Sequence, residues 1–104
     1  MRRFPIAAVL IAAAFTAVAA TPEKPARLGL CAACHGSDGM ATMAGAPNLA
    51  GQRLDYLRAA LAQYRDGRRD VAVMRAAVGP LNDAEIDQLA RWFAAQPPRP
   101  QASP

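Results

Sequence analysis

Apolar positions recur along this chain at helical spacing, in three stretches separated by glycine, proline and polar clusters. Leu54, Leu57 and Leu61 stand three and four residues apart and predict a helix over 54–66. Gly67 suits its C-terminal cap. Val71, Met74 and Val78 repeat the spacing over 70–78, until Gly79-Pro80 ends the run. The signals are strongest over 82–96. Asn82 and Glu85 are placed as a capping box, and Leu81 and Ile86 as a hydrophobic staple. Ile86, Leu89, Ala90 and Phe93 form one apolar stripe, and Pro97-Pro98 stops the helix. Upstream, residues 26–35 hold no breaker except Gly29 and read as a short helix. Residues 36–51 are rich in Gly, Ala, Ser, Asp, Asn and Pro and read as a long loop, a length that in a compact domain usually serves a function. No alternating strand pattern is present, so the predicted class is all-α.

The two ends have a different texture. Arg2 and Arg3 precede an apolar run over 6–18, and small residues at 17–20 supply a cleavage site, which together predict a signal peptide over 1–20. The run is shorter than the roughly 20 residues of a bilayer span, so a retained anchor is the weaker alternative. Residues 97–104 form a proline-rich tail of disordered character. The domain proper is then 21–96. Without the first 20 residues, ten basic side chains face eight acidic ones, a net charge of +2. That surplus is too small for nucleic acid, and no basic-aromatic interleaving supports such binding. Arg65, Arg68, Arg69 and Arg75 cluster either as a solvated face or as a docking patch for an acidic partner. Tyr56, Tyr64, Trp92 and Phe93 are the only aromatic side chains left, and alanine supplies much of the apolar content. A chain this small buries a marginal core, and a large flat apolar cofactor would fill it.

The chemistry concentrates in five residues. The two cysteines and the single histidine stand together as Cys31-Ala32-Ala33-Cys34-His35. On a helix, Cys31, Cys34 and His35 share one side. Two thiols can then join the two vinyl groups along one haem edge while the imidazole reaches iron, which is the c-type attachment pattern. A structural zinc site requires about four ligands, and only three are present. A redox dithiol belongs beside a strand-helix-strand pattern, which is missing. A local disulfide would leave the histidine, the long loop and the thin core without a role. Iron in an electron carrier is commonly held by His and Met. With no second histidine, the candidates opposite His35 are Met40, Met43 and Met74. The first two would have to double back around the ring, whereas Met74 lies far enough along to approach from the other face. Core packing is the competing role for Met74.

Four ordered segments carry a resemblance: Cys31-Ala-Ala-Cys-His-Gly36, Pro47-Asn-Leu-Ala-Gly-Gln52, Tyr56-Leu57 with Gly67, and Met74 leading through Leu81, Asn82-Asp83 to Leu89-Ala-Arg-Trp92. Together they resemble class I cytochromes c, in particular the small bacterial monohaem c553/c4-like group. The resemblance implies about four short helices wrapped around one covalently attached haem c, with Met74 as the distal ligand. It also implies that the Pro47 carbonyl accepts a bond from the proximal His35 ring, and that Gln52 and Tyr56 lie near the haem propionates. Arg53 would add charge beside them. Members usually carry a small residue before the first cysteine, packed against an aromatic of the last helix. Glu23 and Arg27 stand near those positions here, leaving Gly29 as the substitute and Trp92 as the aromatic. Prolines often flank the ligand methionine in the family, whereas Val73 and Arg75 flank Met74.

These readings lead to a periplasmic one-electron carrier and away from an enzyme. Its partners are redox proteins that meet the haem edge or the arginine-rich face, with no nucleic acid and no membrane span in the mature form. The small residues Ala33, Ala41, Ala44 and Ala46 would let a partner approach closely. Two alternatives stay open: an electron-transfer subunit of a larger dehydrogenase or oxidase, and a haem enzyme or sensor with an open sixth position.

Overall fold

A computed structural model describes residues 1–17 and 20–100, and four helices form within it: α1 (Leu28–His35), α2 (Leu54–Arg65), α3 (Ala72–Val78) and α4 (Asp83–Ala95). No strand occurs among the described residues, so the fold is all-α, as the sequence predicts. Residues 1–17 form no helix and stand exposed, including Phe4, Ile6, Leu10 and Phe15. Among the described residues no helix is long and apolar enough to cross a membrane. Positions 18 and 19 of the signal-peptide reading and 101–104 of the proline-rich tail lie outside the described residues.

α4 follows its sequence signals closely. The Asn82 side chain accepts from the Glu85 amide at 2.8 Å, and the Glu85 carboxylate accepts from the Asn82 amide at 3.3 Å. Both partners of the box are therefore made, satisfying donors that a helix start otherwise leaves bare. Leu81 and Ile86 are both buried, as a staple requires. The stripe of Ile86, Leu89, Ala90 and Phe93 is buried throughout and forms the centre of the core. Leu28 of α1, Leu57 of α2, Val78 of α3 and Leu81 complete the cluster.

The other helices are weaker by construction. α2 buries Leu57 and Ala60 and leaves Leu54 and Leu61 half-buried against the core. It stops at Asp66-Gly67, where Gly67 takes φ +78°, a conformation that glycine adopts without a Cβ penalty. α3 buries Val78, half-buries Met74 and leaves Val71 exposed, so its predicted stripe is only partly covered. α1 lacks a side-chain cap and an acidic first turn; the Pro25 carbonyl accepts from the Leu28 amide at 3.1 Å. Between α2 and α4 run ion pairs: Arg58 with Asp87, and Arg65 with Asp83 at 2.7 Å.

Candidate functional site

α1 ends in the chemical centre of the molecule. Cys31 and Cys34 are unpaired thiols, each half-buried, and no disulfide joins them. Burial pushes the Cys31 thiol above its usual range. That direction is opposite to the lowered value of a reactive dithiol's attacking thiol. His35, the next residue, is buried. Its Nδ1 lies 2.8 Å from the Pro47 carbonyl oxygen. A carbonyl only accepts, so Nδ1 carries the proton and donates, and the Nε2 lone pair is left for another partner. The Pro47 role implied by the resemblance is the contact observed.

The loop that brings Pro47 to His35 is folded back on itself. The Cys34 carbonyl accepts from the Thr42 and Met43 amides at 3.0 and 3.3 Å, and Thr42 Oγ1 donates to the Ala33 carbonyl. Farther along, the Gly39 carbonyl accepts from the Leu49 and Ala50 amides at 2.7 and 3.1 Å. A Cβ on Gly39 would stand 2.6 Å from the Ala50 nitrogen, so this approach requires glycine. The Asn48 side chain accepts from the Ala41 amide at 2.8 Å. Asp38 takes the Met40 amide at 3.0 Å and pairs with Arg99 at 2.7 Å. Those two donors, the amide first, hold its carboxyl below the usual carboxylate range. The tail therefore returns onto the loop: Arg99 meets Asp38, and Pro98 lies where a Cβ on Gly51 would reach it at 2.9 Å.

The remaining predicted residues fall into two groups. Met74 is half-buried on α3, and both it and Cys31 pack against the same hydrophobic cluster. Met43 is exposed, and Met40 is half-buried in the loop. Gln52, Arg53 and Tyr56 gather where α2 begins, all exposed. Gln52 accepts from the Arg53 amide at 2.9 Å, and the Arg53 guanidinium is engaged with Asp55 at 2.9 Å. Among the described residues no hydrogen bond joins these three to the cysteine-histidine segment. The arginine cluster is neutralised locally: Arg65 pairs with Asp83, Arg68 with Asp66 and Arg75 with Asp70, while Arg69 lies over the Tyr64 ring at 4.9 Å.

One expectation needs correcting. A Cβ on Gly29 would meet nothing within 4 Å, so Gly29 is not a close-packing substitute against Trp92. α1 is anchored by Leu28 in the core and by Arg27, which pairs with Glu85 of α4 at 2.7 Å. Trp92 instead donates its indole N–H to the Ser37 carbonyl at 2.7 Å. The sequence reading missed this bond and the Asp38–Arg99 pair. Both join residues more than fifty positions apart through a backbone group or a tail side chain, which no local periodicity reports.

The donor set fits a haem: two unpaired thiols three residues apart, and one buried imidazole whose Nε2 makes no hydrogen bond among the described residues. Leu30 on α1, Met43 in the loop, Tyr56 on α2, and Val71 and Val73 at the start of α3 are exposed, whereas Ile86, Leu89 and Phe93 of α4 are covered. A flat apolar group would remove such side chains from water.

Comparison with known proteins agrees with this chemistry. Residues 19–93 match the family described as cytochrome c oxidase, cbb3-type, subunit III. Cytochrome c-554(548) of Halomonas halodenitrificans is 37% identical over 73 residues, covering 67% of this chain and 88% of that protein. The thiosulfate dehydrogenase electron acceptor of Thiomonas intermedia is 36% identical and aligns with all of this chain, which spans 48% of it. A solved structure of Acidithiobacillus ferrooxidans cytochrome c4 has 31% identity and a TM-score of 0.59, covering 62% of this chain and 37% of that one. The chain thus spans about half or less of these last two proteins. Fold and site define a class I cytochrome c of the all-α kind. The chain belongs to the cytochrome c family as an electron carrier, and its Cys31-x-x-Cys34-His35 motif is that of one covalent c-type haem.

Proposed function

We propose that the chain is an exported, periplasmic one-electron carrier. The haem is attached at Cys31 and Cys34 and ligated by His35 and Met74, with Gln52, Arg53 and Tyr56 toward its propionates. The observation that carries the reading is the 2.8 Å bond from His35 Nδ1 to the Pro47 carbonyl. It fixes the ring, selects the tautomer and makes Nε2 a stronger donor to iron. When bound, the haem would supply the redox chemistry, the change of iron between Fe(III) and Fe(II). Cys31 and Cys34 would hold it by thioether bonds, each formed by addition of S–H across a vinyl group with no oxidant consumed. Met74 borders the same cluster as Cys31, which supports its approach from the second face. Export rests on the basic and apolar residues 1–20, with 21–96 as the domain.

Partners are redox proteins that meet the uncharged rim around residues 39–46. Pairing of the arginine cluster with Asp66, Asp70 and Asp83 leaves little free positive charge for docking there. The name of the Thiomonas relative favours a dehydrogenase as electron donor. The matched family's description favours a second reading, a subunit of a larger oxidase. Co-purification in fixed stoichiometry would select it.

The deciding experiment denatures the purified protein and asks whether haem stays on the chain. Retention is expected, and release would sink the proposal. Met74→Ala is expected to convert the low-spin spectrum to high-spin and abolish the methionine-to-iron charge-transfer band, while Met43→Ala leaves both unchanged. A reversed pair of results would transfer the ligand role to Met43.

A further inference from the structure

The last turn of α4 holds the loop behind His35 at both ends. Trp92 donates its indole N–H to the Ser37 carbonyl at 2.7 Å. The adjacent residue, Phe93, accepts from the Gly51 amide at 3.1 Å. Two consecutive residues of one helix therefore grip positions 37 and 51, and Pro47 lies between them. Within the loop, the Gly39 carbonyl ties 39 to 49 and 50, which couples the two grips. The tail adds a third tie, Arg99 to Asp38 at 2.7 Å. Phe93 is 3% exposed, so its end of the clamp is anchored in the core. Trp92 is half-buried, and its N–H has no partner other than the Ser37 carbonyl.

We propose that this turn is a clamp on the proximal loop, and that Trp92 is a positioning residue for His35. Through Ser37 the indole N–H sets how firmly the Pro47 carbonyl is held against His35 Nδ1, and so how much electron density the ring presents to iron. The inference rests on the His35 ligation proposed above. A firm Nδ1–H bond gives the imidazole more anionic character, which favours Fe(III). Loosening the clamp therefore raises the reduction potential. The same loosening lets the Nδ1 proton exchange with solvent more often, because a local opening then suffices where a larger one was needed.

The test uses the haem-loaded protein. Two variants remove the indole N–H: Trp92→Phe, and replacement of Trp92 by its benzothiophene isostere, which keeps ring size and shape if the phenylalanine variant folds poorly. Ile86→Val serves as the control, since it trims the core without touching the loop. The readouts are NMR exchange of the His35 Nδ1 proton in the reduced protein and the midpoint potential. Loss of one such bond predicts about fivefold to tenfold faster exchange and an upward shift in potential, with neither change in Ile86→Val. If the isostere leaves both readouts at parental values, or if Ile86→Val moves them equally, Trp92 is only a packing residue and the proposal is overturned. Release of haem from the unaltered protein on denaturation would instead remove the ligation reading itself, and that outcome is seen before any variant is made.

Discussion

α4 and the loop between α1 and α2 are held in place by different physics. α4 buries Ile86, Leu89, Ala90 and Phe93 along one face and starts at a complete capping box. Burial of this kind requires side chains of the right type and roughly the right size. The loop over 36–53 has little to bury beyond the half-covered Leu49. It is held by directed bonds: Gly39 to Leu49 and Ala50, Asn48 to Ala41, Trp92 to Ser37, and Pro47 to His35. One region makes its own core, whereas the other converges on the buried His35 imidazole. On the function proposed above, α2 with α4 would hold without the haem, and α1 with its loop would be the side that leans on it.

Removing the haem should give the largest effect. In a chain carrying Cys31→Ala and Cys34→Ala, produced without haem, backbone amides of α1 and of 36–53 should lose protection against hydrogen exchange. Those of α4 around Leu89 should remain the slowest in the molecule. Exchange as slow in α1 as in α4 would break the contrast. On the other side, Leu89→Ala in the haem-loaded protein should cost about 2–5 kcal/mol, because Leu89 is 1% exposed and the helices can close the gap only in part. Denaturant unfolding followed at Trp92 fluorescence and at the haem band would measure it. Both signals should move together. A smaller change, in the cap of α4, sharpens the picture further. Asn82→Ala removes the acceptor of the Glu85 amide and should cost about 1 kcal/mol while leaving the haem spectrum untouched. A spectral change there would mean that the two regions are less separate than the bonds suggest.

The contrast also explains what was legible in the sequence. α2, α3 and α4 could be read from local apolar spacing, the capping box and staple from residues a few positions apart, and α1 only from its lack of breakers. Cys31, Cys34 and His35 could be read because the chemistry needs them adjacent, and Pro47 through the ordered resemblance. The Trp92–Ser37 bond could not, since a backbone carbonyl is the same at every position. The packing expected of Gly29 failed for a related reason: glycine has several uses, and here no neighbour approaches it. Arg53 is expected to add charge near the propionates, and the structure pairs its guanidinium with Asp55, two residues away. The arginine cluster was neutralised the same way, by acids that the sequence places nearby without fixing who pairs with whom.

The smallest expected effect concerns the ion pairs that tie α4 to its neighbours. The Arg91 guanidinium, followed by that of Arg58, holds the Asp87 carboxyl below its ordinary value of 3.8. Glu85 is held down by Arg27 and by the Asn82 amide. A carboxylate whose value is lower in the folded state stabilises it above the unfolded value, and the gain is lost as pH falls through the folded one. Stability should therefore be flat near neutrality and begin to drop below about pH 5. Because these carboxylates are only half-buried and their arginine partners reach into solvent, each pair contributes little and is screened by salt. The denaturation midpoint should fall modestly between neutral pH and the acid range, and Asp87→Asn should flatten part of that fall. The acid change should act first on the contacts of α4 with α2, where Asp87 and Asp83 take their arginines. An acid fall in the midpoint that Asp87→Asn leaves unchanged would show that these pairs do not carry it.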